Sequence, residues 1–80
     1  MKNLATFKLE NILSSDKITE MVIWEHNGIY TVTIDDNEPD FDLDNYGCED
    51  SDDLVRLAKR SLKRVTEESR NEVINFIETL

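Results

Sequence analysis

Several residue types that mark common protein classes are scarce in this chain of 80 residues. A single cysteine, Cys48, excludes an intrachain disulfide and fits a reducing compartment. No apolar run approaches the roughly 20 residues that a membrane-spanning helix needs. The first residues (MKNLATFKLE) also lack the apolar segment of a signal peptide. We therefore expect a cytoplasmic protein without a membrane segment.

Groups that perform chemistry are equally scarce. His26 is the one histidine, and it stands just before a predicted turn, where an exposed polar residue is the ordinary finding. Cys48 lies in an acidic stretch, which raises the pKa of a thiol and weakens it as a nucleophile. The sequence has no glycine-rich phosphate loop and no residue pair at metal-ligand spacing. We expect no enzymatic activity, no catalytic residue, no metal site and no cofactor.

Positive charge is also in short supply. Nine Lys and Arg residues stand against eighteen Asp and Glu residues, and the formal net charge is −9. Such a charge disfavours nucleic acid as a direct ligand, because the phosphate backbone is itself negative. It favours cationic partners, including proteins that bind nucleic acid. The alternative is that the acidity serves solubility.

The acidic residues concentrate in residues 35–53 (DDNEPDFDLDNYGCEDSDD), which hold ten of the eighteen and no Lys or Arg. Charged residues there alternate with Phe41 and Leu43, a pattern typical of a half-buried strand. We predict this strand at about 40–46, with Phe41 and Leu43 on a core. The other face would present a row of carboxylates about 6.7 Å apart, formed by Asp40, Asp42 and Asp44.

The clearest local signal is a β-hairpin over residues 20–35. Two runs rich in β-branched and aromatic residues (EMVIWEH and IYTVTID) flank Asn27-Gly28, and this dipeptide suits a type I′ turn. A two-residue turn would place His26 opposite Ile29 and Trp24 opposite Thr31. One face then suits a core, and its members are Met21, Ile23, Glu25, Tyr30, Val32 and Ile34. The Trp24 face would be half covered, as a contact surface or under the N-terminal segment.

The two ends of the chain complete an α+β domain spanning residues 1–80. Residues 4–18 favour a strand or irregular segment, and apolar spacing predicts helices at about 52–65 and 67–79. Asp50 or Ser51 would cap the first helix and Thr66 the second. One helix from 52 to 80 would be about 43 Å long, against a radius of gyration of about 12 Å for a compact chain of this size. We therefore favour a break near 66–70, with a long helix in a dimer as the alternative. The expected sheet has three or four mainly antiparallel strands and one or two C-terminal helices against it.

A calcium loop is a further alternative. Counted from Asp42, the residues at positions 1, 3, 5, 6, 9 and 12 of such a loop are Asp42, Asp44, Tyr46, Gly47, Asp50 and Asp53. Position 5 normally offers an oxygen ligand that a tyrosine does not, and position 12 favours a bidentate glutamate. Any calcium site would be weak.

Charge is distributed unevenly along the chain. Residues 35–53 carry ten negative charges, whereas residues 56–64 carry five positive ones, from Arg56, Lys59, Arg60, Lys63 and Arg64. The two regions would either neutralise one another or leave a net acidic face. Glu67, Glu68 and Glu72 lie nearby in sequence to share the positive charges. A net acidic face should therefore remain.

The layout resembles a class of small acidic inhibitors. A hairpin (MVIWEHNGIYTVTID), a further strand (FDLD) and a capped helix beginning at EDSDDL are similar to phage-encoded anti-CRISPR proteins and acidic anti-restriction DNA mimics. The layout also resembles immunity proteins of bacterial nuclease toxins. The resemblance implies stoichiometric inhibition of a nucleic-acid-handling protein without catalysis.

Charge and resemblance together predict an inhibitor that binds a basic, nucleic-acid-binding groove of another protein. The alternatives are an immunity protein or antitoxin for a nuclease toxin, a weak calcium-binding module, and a structural module with an interface around Trp24. We expect a monomer or homodimer. The predicted contact residues are Asp35, Asp36, Glu38, Asp40, Asp42, Asp44, Glu49 and Asp50, with Tyr46 and Trp24 as apolar anchors.

Overall fold

A computed structural model describes residues 1–14, 16–35, 38–39 and 47–80. The elements are β1 (Lys2–Glu10), β2 (Ile18–His26), β3 (Ile29–Ile34), α1 (Ser51–Ser61) and α2 (Glu67–Ile77). The strands form one antiparallel sheet in the order β1-β2-β3. The predicted α+β layout is thus confirmed. The strand predicted at about 40–46 lies outside the described residues.

The hairpin has the predicted turn and register. Asn27 and Gly28 have φ angles of 53° and 82°, the positive values that a type I′ turn requires at both positions. His26 pairs with Ile29, and Trp24 pairs with Thr31. The carboxylate of Glu25 also accepts a hydrogen bond of 2.9 Å from the Gly28 backbone N–H. Register and turn are therefore fixed locally.

One face of the sheet forms the core with the two helices. Met21 and Ile23 of β2 are fully buried, and Tyr30, Val32 and Ile34 of β3 pack against the same cluster. α1 lies against β3 and α2 against β1. The helices bury five apolar side chains, Leu54, Leu57, Ala58, Val73 and Ile77. Each large aliphatic side chain buried in this way contributes about 1.5–3 kcal/mol.

β1 corrects one expectation about the N-terminus. The strand pairs with β2, with Phe7 opposite Met21 and an irregularity between Asn3 and Ala5. The N-terminal segment therefore extends the sheet sideways and does not lie over the Trp24 face, because its backbone groups bond to the edge of β2. Phe7 contacts Phe76 of α2 edge-on, with ring centroids 5.7 Å apart. This contact joins β1 to the second helix.

The C-terminal half contains two helices, and the single long helix is excluded. α1 ends at Ser61, earlier than predicted, but Leu62 and Val65 after it remain buried. The hydroxyl of Thr66 accepts a hydrogen bond from the Ser69 N–H, so Thr66 caps α2 as predicted. The Cα radius of gyration is 11.9 Å, the size of a compact chain of this length.

Candidate partner-binding surface

Asp35 directly follows β3, in a backbone conformation that the sequence did not predict. Its φ angle is 50°, a left-handed geometry that Asp adopts more readily than most residues. Its backbone N–H donates to the Glu20 carbonyl (2.9 Å), and its carboxylate accepts from the Glu20 N–H (3.0 Å). The side chain is exposed. Asp35 therefore presents a charge from a position held by two hydrogen bonds.

Glu49 and Asp50 lie near the opposite end of the same strand. Cys48 forms an antiparallel bridge with Tyr30, with two N–O distances of 2.7 Å. Tyr30 and Asp35 are five strand rises apart, which corresponds to about 17 Å. The structure thus places the described contact residues in two groups, with Asp35 at one end of β3 and Glu49 and Asp50 near the other.

The remaining predicted contact residues divide between exposed and undescribed positions. Glu38 is exposed within the short described stretch 38–39. The other predicted residues lie outside the described part of the chain, namely Asp36, Asp40, Asp42, Asp44 and Tyr46. Their contribution to a partner-binding surface stays a prediction.

The acidic residues at the start of α1 also stabilise that helix. The Asp50 carboxylate accepts a hydrogen bond of 2.8 Å from the Asp53 N–H, which makes Asp50 the predicted N-cap. Asp52 and Asp53 lie in the first turn, where the helix dipole favours negative charge. Asp50 nevertheless remains exposed. Some of the acidic residues of 35–53 therefore have a structural role in addition to any role in binding.

The described residues offer little for a calcium ion. Asp50 is engaged as the helix cap, and Asp53 forms an ion pair of 2.6 Å with Arg56. Within residues 1–14, 16–35, 38–39 and 47–80, no group of three or more His, Cys, Asp or Glu side chains is arranged to hold a metal. The loop positions 42, 44 and 46 lie outside these ranges.

The acidic and basic regions barely neutralise each other within the described chain. The pair between Asp53 and Arg56 is the sole ion pair among the described residues, and its side chains are 47% and 73% exposed. A pair so exposed contributes only about 0–1 kcal/mol. The other cations of residues 56–64, which we call the basic stripe, are also exposed, namely Lys59, Arg60, Lys63 and Arg64. Most of the described negative charge is therefore uncompensated.

α2 carries a second acidic face, separate from the predicted contact set, on a helix that packs against α1 and β1 and not against β3. Glu67, Glu68 and Glu72 line an open groove of about 640 Å³ together with Asn71 and Asn75. None of these glutamates makes an ion pair with a described residue, so they do not share the basic stripe as expected. Glu67 and Glu68 stand in the first helical turn, and this signal was available in the sequence.

Trp24 is half-buried, as expected for its face of the hairpin. Its indole N–H donates to the Thr33 hydroxyl at 2.9 Å. On the same face Thr31 is fully buried and Thr33 is 5% exposed, so neither hydroxyl is open to a partner. The Thr33 hydroxyl is used inside the fold, and Trp24 offers only part of its ring to a partner.

Cys48 has the raised pKa that its acidic surroundings predict. The thiol is buried, and this burial is the main cause of the rise. The nearby carboxylates of Asp53 and Asp50 raise the pKa further, whereas Arg60 opposes them. A buried, protonated thiol is a poor nucleophile.

Comparison of the chain with protein-family models, curated proteins and solved structures finds no match. None of the described helices is both long and apolar enough to cross a membrane.

Proposed function

We propose that this protein is a non-enzymatic inhibitor that binds a cationic, nucleic-acid-handling protein through its acidic surface. The class of target would be a CRISPR effector, a restriction enzyme or another nuclease. One observation carries the proposal: carboxylates are exposed at both ends of β3, while the described residues make a single ion pair. The formal net charge of the chain is −9, which favours a cationic partner.

The way in which these carboxylates are held supports mimicry of a phosphate backbone. Asp35 is fixed by two hydrogen bonds to Glu20, and Asp50 is fixed by its bond to the Asp53 N–H. Groups that are ordered before binding lose little conformational freedom on binding. A positive groove that receives them gains complementary charge and a faster encounter.

The test is affinity capture from a bacterial lysate with three forms of the protein. One variant changes Asp40, Asp42 and Asp44 together to Asn. Its matched control changes Glu68 and Glu72 of α2 and Glu78 at the C-cap of that helix to Gln, which removes the same number of charges elsewhere. We expect the wild type and the control to retain a nucleic-acid-binding protein that duplex DNA or RNA displaces. The Asp variant should lose this protein.

Salt provides the second measurement on the captured complex. Its dissociation constant should rise steeply between about 50 and 300 mM NaCl, because exposed charges are screened over a Debye length of about 10 Å at 0.1 M. The proposal would be overturned by a dissociation constant that does not depend on salt. It would also be overturned if the Asp variant retained the nucleic-acid-binding protein as well as the wild type does. Capture of a toxin nuclease would assign the protein to the immunity class within the same mechanism.

A further inference from the structure

A groove of the opposite charge lies between the end of α1 and the start of β2. Four cations line it, namely Lys17, Arg60, Lys63 and Arg64. The remaining lining residues are Asn11, Thr19, Ile34, Asp35, Ser61 and Val65, and the volume is about 380 Å³. We propose that this basic groove binds a small phosphate-bearing ligand, a function separate from the acidic surface.

The backbone that forms the groove is held firmly. The Ile12 N–H donates to the Arg64 carbonyl at 2.8 Å, and Asn11 forms an antiparallel bridge with Val65. Leu62 and Val65 are buried on either side of the two exposed cations between them. Lys63 and Arg64 therefore extend from a turn whose ends are fixed in the core. The cationic cluster is thus part of the folded framework.

The charges in this groove are not balanced by the surrounding described residues. Four cations and one carboxylate leave a formal charge of +3 (4 − 1), in a chain whose net charge is −9. The one carboxylate, Asp35, already accepts a hydrogen bond from the Glu20 N–H. No cation of the groove is in an ion pair with a described acid. A bound anion would relieve the mutual repulsion of these cations.

The helix dipole accounts for only part of the cluster. Arg60 lies in the last turn of α1, where a cation stabilises the helix. Lys63 and Arg64 lie beyond the end of that helix, and Lys17 comes from the segment before β2. The dipole falls off within the last turn, so it gives no reason for the other three cations to converge.

The side chains fit a phosphate better than other anions. Arg60 and Arg64 offer planar guanidinium groups that bind phosphate oxygens in pairs, and the two lysines add point charges. Ser61 and Thr19 add hydroxyl groups to the lining. A nucleic acid chain is disfavoured, because the strong net negative charge would repel the rest of it.

Two matched substitutions test the groove. Lys63→Gln removes a cation that lines it, whereas Lys59→Gln removes another exposed lysine, on α1, that does not. Inorganic phosphate, pyrophosphate and a nucleoside triphosphate are titrated separately, and amide chemical shifts of the ¹⁵N-labelled protein give each dissociation constant. We expect shifts around residues 11–19 and 60–65. Lys63→Gln should weaken binding about fivefold, and Lys59→Gln should change it less than about twofold.

Asp35→Asn should change the phosphate affinity in the opposite direction. Asn keeps a side-chain oxygen for the Glu20 N–H and tolerates positive φ, so the fold should be retained. Removal of its charge should tighten phosphate binding while weakening any partner that binds the acidic surface. The proposal is overturned if no phosphate compound shifts the groove amides at about 10 mM, or if Lys59→Gln weakens binding as much as Lys63→Gln. It is also overturned if a glutamate-rich peptide binds the groove more tightly than all three phosphate compounds.

Discussion

The indole N–H of Trp24 donates a hydrogen bond of 2.9 Å to the hydroxyl of Thr33 across β2 and β3. Trp24 lies directly opposite Thr31 in the register, so this bond is diagonal and reaches two positions along β3. Aromatic side chains are long enough to span such diagonal pairs. The bond gives a half-buried donor and a nearly buried hydroxyl their partners on the face away from the helices.

A double-mutant cycle should detect this bond. Thr33→Val keeps the shape of the side chain but leaves the indole N–H without its acceptor, at a cost of about 1 kcal/mol in the free energy of unfolding. Trp24→Phe removes the donor together with part of the ring. The double variant should be more stable than the sum of the two losses predicts, by about 0.5–1.5 kcal/mol in urea unfolding. Strictly additive losses would contradict a direct bond.

The N-cap of α2 should make a measurable contribution to the free energy of unfolding. The Thr66 hydroxyl accepts from the Ser69 N–H at 3.3 Å, and the Ser69 hydroxyl accepts from the Glu10 N–H at 3.2 Å. Thr66→Ala should lower the free energy of unfolding by about 1 kcal/mol and speed amide exchange at Ser69. Ser61→Ala is the matched control, because Ser61 is exposed at the end of α1. Equal losses in the two variants would contradict the capping role.

The sequence was informative wherever structure is determined by close neighbours. Asn27-Gly28 predicted the turn, because few other dipeptides accept positive φ at two successive positions. Asp50, with Ser51 as the alternative, and Thr66 were predicted as caps from their position before an amphipathic run. β1 was ambiguous, because its apolar residues fit two periods. Pairing with β2, a contact between distant parts of the chain, decides its structure.

The candidate sites depended more on long-range contacts. The acidic residues of 35–53 are visible in the sequence, but the two hydrogen bonds between Asp35 and Glu20 depend on where β3 ends beside β2. The basic groove was not predicted at all. Lys17 and Lys63 are far apart in sequence, and the hydrogen bond between Ile12 and Arg64 brings their segments together. Periodicity assigns residues to faces of one element and cannot show which elements meet.

Cys48 should make stability depend on pH in the alkaline range. Burial raises the pKa of its thiol in the folded state. Below the ordinary thiol pKa of about 8.5 the thiol is protonated in both states, and its contribution to stability is fully present. Above that pH the unfolded chain loses the proton first, so this contribution falls as pH rises through the pKa of the folded state. Cys48→Ala should remove it.

Urea unfolding at pH 7 and pH 10 measures this effect. The wild type should lose more free energy of unfolding between the two pH values than Cys48→Ala does. Tyrosines and lysines titrate in both proteins, so their contribution to the pH dependence cancels in the comparison. A thiol reagent should react slowly with the folded wild type and rapidly in urea, because Cys48 is 6% exposed. Parallel losses of stability in the two proteins would contradict the raised pKa.

The uncompensated negative charge should make the fold more stable in salt. Carboxylates repel one another across the surface, and the described residues contain a single, exposed ion pair. The Debye length shortens from about 30 Å at 0.01 M salt to about 10 Å at 0.1 M, so NaCl should raise the urea midpoint. Changing Glu68, Glu72 and Glu78 to Gln should reduce this salt effect, because it lowers the magnitude of the net charge. Changing Lys59 and Lys63 to Gln should enlarge it.

The direction of the salt effect in the glutamate and lysine variants shows whether repulsion from the net charge or attraction within local ion pairs dominates the stability. If the acidic and basic regions neutralised one another, loss of the lysines would break favourable pairs, and added salt would destabilise the wild type. Stability that increases with salt, and increases more in the lysine variant, would mean that the negative charge lacks an internal partner. The proposed inhibitor requires that result, because negative charge that is already neutralised within the fold cannot attract the basic groove of a partner protein.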